Sequence, residues 1–245
     1  MKRFAGKTVF ITGAMKRLGF EMARAFANEG ANIVCHYFSS QDAVAERLGE
    51  LEKIGVRAWA VRADLADRGE VEALFPKVLA MTGSVDILVH NASMYPSDGL
   101  SNADISTVEE SMWVHAWAPL VLSRAFEKSA KDGACIVSIL DASLQKFQPK
   151  FFSYQLGKLM LKHLTEMMAM EFAPKIRVNG VSLGPYLSDT YHDLEKITQA
   201  LPIPRLGRMS ELLSSLFHVV ENGYITGEII HVDGGLHIKH GQLSI

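Results

Sequence analysis

Seven short apolar runs recur along the 245-residue chain, and a stretch with helical periodicity separates each consecutive pair. The runs are Lys7–Thr12, Ala31–Tyr37, Val56–Arg62, Val85–His90, Gly133–Leu140, Ile176–Ser182 and Glu228–Val232. Strict alternation of this kind leaves few topologies. Parallel strands need long crossovers, the crossovers are right-handed, and the helices must cover both sheet faces. The chain is therefore expected to be α/β, one doubly wound domain over residues 1–245 with a seven-stranded parallel sheet flanked by helices. No linker, long repeat or low-complexity tract argues for a second domain.

The first strand runs into Gly13-Ala-Met-Lys-Arg-Leu-Gly19 and then a helical pattern from Phe20. A strand, a glycine turn and a helix start form a phosphate cradle, because free N–H groups and the positive helix end face the anion. Gly13, Lys16, Arg17, Leu18 and Gly19 are thus candidate contacts for a dinucleotide. NAD sites usually place an acid at the end of the second strand to hold the ribose 2′-hydroxyl. Here that strand ends in His36-Tyr37-Phe38-Ser39-Ser40, and the first acid after it is Asp42. With Lys16 and Arg17 in the turn, His36, Tyr37 and Ser39 would surround a 2′-phosphate, which favours NADPH; otherwise the two cations are solvated turn residues.

Asp64-Leu65 follows the third strand as an adenine-edge contact or a helix start. Asn91-Ala92-Ser93-Met94-Tyr95-Pro96 follows the fourth, and such a loop can lie against a cofactor with Tyr95 as a stacking surface, or be an ordinary turn. One helix is expected from about Thr107 to Lys128, kinked or missing a hydrogen bond at Pro119. After Gly184-Pro185 a long segment, 186–208, reads as a substrate loop.

Tyr154 and Lys158 lie four apart at the start of a periodic run, so they share a helix face. A phenol titrates near 10, and an ammonium one turn away lowers that value, producing a usable proton donor. The fifth strand delivers Asp141 at its C-terminal end, where sites gather in open α/β sheets.

Net charge is −2 and charged residues make up 21%, so nothing suggests nucleic acid or an acidic membrane as a partner. Small molecules and further copies of the chain are the expected partners. No apolar signal region or bilayer-length run is present, and the expected location is the cytoplasm. Cys35 and Cys135 lie in apolar strands without metal spacing, so buried thiols are expected and no metal site.

Taken together, Thr12-Gly13…Gly19, Asn91-Ala92, Tyr154…Lys158, Arg177-Val178-Asn179 and Asp233-Gly234-Gly235 give the whole chain a resemblance to the short-chain dehydrogenase/reductase family. That resemblance implies one Rossmann domain, a nicotinamide cofactor, a catalytic Tyr, a Lys that holds the nicotinamide ribose, and frequent homotetramers. Four positions depart from the family's general pattern. Arg17 replaces the middle glycine of the turn; His90-Asn91-Ala92-Ser93 replaces Asn-Asn-Ala-Gly; Asp141 replaces the usual Ser; and His115 stands where a helix Asn often completes a proton relay. These departures resemble pteridine reductases, most of all bacterial dihydromonapterin reductases.

The resemblance implies Asp141, Tyr154 and Lys158 as catalytic set, with Asn91, Ala92, Ser93, Tyr154, Lys158, Gly184 and Ser188 along the cofactor. It also implies a pterin met by Arg17, Ser93, Tyr95, Asp141 and Tyr154. The expected reaction is NADPH-dependent reduction of a dihydropterin, such as dihydromonapterin, dihydrobiopterin or dihydrofolate, to the tetrahydro form. The competing readings are a ketone or 3-oxoacyl-thioester reductase of the same family, in which Asp141 is incidental, and a cofactor-sensing or scaffolding protein that keeps the fold without turnover. Leu183, where the family usually has Pro, leaves the contacts after Gly184 open.

Overall fold

The computed structural model describes residues 2–146, 148–187, 194–199 and 201–239. Seven parallel strands form one sheet in the order β3-β2-β1-β4-β5-β6-β7. They are β1 (Thr8–Ile11), β2 (Asn32–Tyr37), β3 (Ala58–Arg62), β4 (Ile87–His90), β5 (Ala134–Asp141), β6 (Ile176–Leu183) and β7 (Ile229–Val232). The strands read as almost unbroken apolar runs because both faces are covered, as parallel sheets require.

Successive side chains point to opposite faces, so β1 serves two cores at once. Val9 and Ile11 join Ile33, Cys35, Val89 and Val137 under α1 (Arg17–Asn28), α2 (Val44–Lys53) and α8 (Met209–Glu221). Phe10, Val34, Leu88 and Ile136 face the other way, under α3 (Arg68–Thr82), α5 (Ala118–Ser129) and α6 (Phe152–Phe172). Cys35 and Cys135 are free, buried thiols. Burial pushes Cys35 up to about 12 and Cys135 up to about 11, which keeps both protonated and inert.

The helix expected over 107–128 runs without a break as α4 (Ile105–Met112), one π turn (Trp113–Trp117) and α5, with the expected fault in its hydrogen bonds at Pro119. Pro119 has no N–H for the His115 carbonyl, and the ladder loosens around it, the Ala118 N–H donating to Trp113 O five residues back. The segment 186–208 is not all loop, because it holds α7 (Leu194–Gln199). A one-and-a-half-turn helix is too short to leave a periodic signature. No helix among the described residues is long and apolar enough to cross a membrane.

The strand order reverses between β1 and β4, and the crevice at their C-terminal ends is where an open α/β sheet binds its ligand. The glycine turn after β1 and the loops after β4 and β5 all open there.

Candidate active site

Thr12 fastens the first wall of the crevice. Its hydroxyl oxygen accepts the N–H groups of Asn91 at 2.9 Å and Ala92 at 3.0 Å, while Asn91 Nδ2 donates to Thr12 O at 2.8 Å and Gly13 O at 3.1 Å. Asn91 thus locks the β4 loop to the glycine turn. Gly19 permits the close approach, since a Cβ there would lie 2.7 Å from Asn91 Nδ2. Arg17 has φ of 51°, the left-handed conformation that glycine adopts most cheaply. The turn therefore keeps a glycine-like backbone while carrying a guanidinium. No side chain caps α1 and its first turn holds no acid, so the helix start suits an anion.

His36 does not face that anion, contrary to expectation. It is buried; its Nε2 lies 3.0 Å from Ala63 O and must carry the proton, and its Nδ1 accepts the Gly13 N–H at 3.1 Å. Burial pushes it down to about 4, so it is a neutral brace under the turn. Tyr37 is also buried, its hydroxyl donating to Gln41 Oε1 at 2.6 Å. It too is corrected, from phosphate contact to strand-end support. Lys16, Arg17 and Ser39 are exposed at the rim, joined by Phe38, over whose ring the Arg62 guanidinium sits at 5.3 Å. Asp64 accepts the Ala66 N–H at 2.9 Å, and Leu65 is core.

The second wall is α6. Tyr154 and Lys158 share its inner face as their spacing requires, and the Tyr154 hydroxyl donates to Asp141 Oδ2 at 2.7 Å. The other carboxylate oxygen, Oδ1, accepts the Ser143 N–H at 2.7 Å, which fixes the plane of the group. Lys158 Nζ donates to Ile139 O at 2.9 Å. Burial pushes this lysine down to about 8, with Asp141 acting against the shift. Gly157 lets α6 reach the π turn, because a Cβ there would lie 2.9 Å from the His115 Cβ.

His115 acquires a definite role. Its Nδ1 lies 3.0 Å from Ser111 O, an acceptor only, and so carries the proton. Nε2 is then the acceptor for the Ser93 hydroxyl at 2.9 Å and the Met94 N–H at 3.3 Å. Burial first, then the Lys158 charge, push His115 down to about 3 and His90 likewise to about 3, so both stay neutral. His90 Nε2 pairs with Ser123 Oγ at 2.8 Å, deep in the core.

Tyr95 is half exposed and lies edge-on to Tyr154, ring centroids 4.5 Å apart, while one of its faces stacks on Phe151 at 4.4 Å. Asp98 positions this pair: it accepts the Ser153 N–H at 3.0 Å and the Ser153 hydroxyl, tying the loop to the start of α6. Neither Phe151 nor Asp98 stood out in the sequence, because a contact across 55 positions leaves no local signature. Gly184 closes the far side of the site, its Cα so near the Asp233 backbone that a Cβ would lie 2.7 Å away. Leu201, beyond α7, is buried with Ala142 and Leu236 beside Asp141. Ser188 lies outside the described residues.

A tyrosine held by a carboxylate, a buried lysine one turn along and a glycine-turn cradle converge on one crevice. A family model described as "Enoyl-(Acyl carrier protein) reductase" matches residues 13–237. The chain belongs to the short-chain dehydrogenase/reductase family. It is an oxidoreductase of that family. Among solved structures it is similar to FolM alternative dihydrofolate reductase 1 from Brucella canis in complex with NADP, 30% identical, TM-score 0.90, covering 98% of this chain and 97% of that one. A blue fluorescent protein from a metagenomic library, in complex with NADPH, is 27% identical with TM-score 0.90, over 95% and 98% of the two chains. The 7alpha-hydroxysteroid dehydrogenase of Escherichia coli is 30% identical over 245 residues, 95% of each chain.

Proposed function

We propose that this short-chain dehydrogenase/reductase reduces a dihydropterin to its tetrahydro form with NADPH, and the observation that carries the reading is the 2.7 Å bond from Tyr154 to Asp141. A simple ketone needs only a hydroxyl to polarise its oxygen. A pterin presents a flat ring with an amino donor edge and a ring nitrogen that must gain a proton. Each Asp141 oxygen accepts one hydrogen bond here and keeps a further lone pair for a donor edge. The similarity to FolM structures solved with NADP supports the same reading.

Bound NADPH would supply the hydride. Arg17, Lys16 and the start of α1 would hold its phosphates, and Ser39 would meet the 2′-phosphate at the end of β2, a strand that ends without an acidic residue. Lys158 would hold the ribose and, while protonated, favours the phenolate that Tyr154 becomes on giving up its proton. Tyr154 delivers that proton to the substrate nitrogen, and Asp141 orients both partners. Tyr95 and Phe151 offer an aromatic surface for the ring, and the Ser93 hydroxyl, oriented by His115, meets its polar edge.

The deciding experiment measures kcat/KM of the parent and of Asp141→Ser on dihydropterins and on simple ketones, scored by NADPH oxidation. The parent is expected to prefer dihydropterins, and the Ser variant to lose roughly 100-fold on them, as for a charge-assisted hydrogen bond of about 3 kcal/mol. A parent that prefers ketones, or a variant equal to it on dihydropterins, replaces this reading with that of a general carbonyl reductase.

A further inference from the structure

We infer that His231, Asp233 and His237 bind a divalent first-row metal ion, zinc foremost, at the C-terminal end of β7. Their ligand atoms all lie within 4.8 Å of one another. The carboxylate is already oriented: Oδ1 accepts the Gly235 N–H at 2.9 Å, and Oδ2 accepts the His237 N–H at 2.7 Å and its Nδ1–H at 2.8 Å. The second observation is His231 Nδ1, which is buried and has no hydrogen-bond partner among the described residues. An unsatisfied buried nitrogen needs a partner, and an ion held jointly with the oriented carboxylate is one that fits.

Two imidazoles and one carboxylate are the donor set of zinc and its neighbours, whereas magnesium and calcium take oxygen ligands. With nitrogen and oxygen ligands the edge of a tetrahedral zinc site is about 3.3 Å, so the Asp233–His237 pair, at 2.8 Å, opens slightly, and any pair near the 4.8 Å limit closes. The two imidazole rings lie parallel, centroids 4.0 Å apart, so an ion shared by both nitrogens requires the rings to turn about their side-chain bonds until both planes contain it. His237 then carries its proton on Nε2, and water fills the fourth position. Glu228 also faces His231, and the Lys162 ammonium that opposes a cation there is paired with Glu166 at 3.0 Å.

The ion would pin β7 to the turn at Leu236–Ile238, whose Leu236 packs against Ala142 beside Asp141. It is independent of the dihydropterin reading, which uses none of the three ligands. The test is calorimetric titration of the intact, EDTA-stripped protein with Zn(II), with Co(II) absorption as a report of geometry. One equivalent per chain is expected to bind at micromolar Kd or tighter, and to raise the melting temperature by about 5 °C at a hundredfold excess over Kd. His231→Ala and His237→Ala should each weaken binding at least roughly 100-fold, while His163→Ala, on exposed α6 surface, leaves it unchanged. No binding at millimolar Zn(II), or affinity retained in both variants, overturns the site. If the variants misfold, diethyl pyrocarbonate labelling of the unmodified protein decides: Zn(II) must protect His231 and His237, and equal labelling with and without it is the contrary result.

Discussion

Lys158 is wholly enclosed, and its depressed titration links chemistry to stability. Below about pH 8 the folded and unfolded chains both hold the proton, and folding carries the full desolvation cost, about 3 kcal/mol for a shift from the ordinary lysine value to about 8. Between about 8 and 10.5 the unfolded chain binds a proton that the folded chain does not, so this group's contribution to stability rises with pH. Lys158→Met should therefore unfold at higher urea concentration than the parent at pH 7 and lose that pH dependence, while its turnover collapses. In the parent, reduction should slow as pH climbs through about 8, because the neutral amine no longer favours the Tyr154 phenolate. No inflection between pH 5 and 8 is expected from His36, His90 or His115, which burial holds at about 4, 3 and 3. An imidazole inflection in that range that disappears in His115→Asn would contradict the neutral assignment. Tyr154→Phe removes the donor and little cofactor contact, so turnover should fall by three or more orders of magnitude with NADPH affinity kept, measured by fluorescence titration. Asp141, Tyr154 and Lys158 were legible because their spacing and strand-end position are local facts. The bracing role of His36 was not, because it depends on Gly13 and Ala63, 23 and 27 positions away, which only the folded sheet brings together.

At the scale of elements, the site rests on how closely α6 approaches the π turn, and a single hydrogen at Gly157 permits it. An added methyl would press on His115 Cβ at 2.9 Å, its Nδ1 at 3.0 Å and Ser111 O at 3.0 Å, all fixed by their own hydrogen bonds. Gly157→Ala is expected to cost about 1–3 kcal/mol in denaturant unfolding despite the better helix propensity of Ala. It should also lower turnover at least tenfold, because Tyr154 and Lys158 ride on α6. A variant with parental turnover would show that the site does not depend on this contact. Strands were readable to within about two residues, since apolar runs ended by Gly, Asn or Asp are unambiguous. The π turn was readable only as a fault at Pro119. Local sequence fixes that a hydrogen bond is missing, and packing against α6 decides how the backbone absorbs the loss.

For the whole molecule, the outer face of α6 presents a broad apolar surface to solvent. Met167 and Met170 are 66% and 84% exposed, Leu156, Leu159 and Met160 more than a third, and Trp117 and Ile105 add apolar surface on the neighbouring helices. Charged positions are sparse between them; Lys162, His163 and Glu166 pair among themselves along the same helix, which lowers their demand for water. We propose that copies of this chain cover these faces in a homotetramer, as the family resemblance also implies. Methionine suits such a surface, being flexible and apolar without strict shape requirements. Analytical ultracentrifugation at micromolar concentration should report four copies of the 27.0 kDa chain. Met167→Glu combined with Met170→Glu should shift that mass toward dimer or monomer, because each carboxylate would have to be buried without a partner. The same double variant separates assembly from catalysis: α6 carries Tyr154 and Lys158 on its inner face and the methionines on its outer one. If the dissociated form keeps its fold but loses turnover, neighbouring copies hold α6 in its active position. A parent that sediments as a single chain removes the tetramer and leaves the methionine face unpartnered.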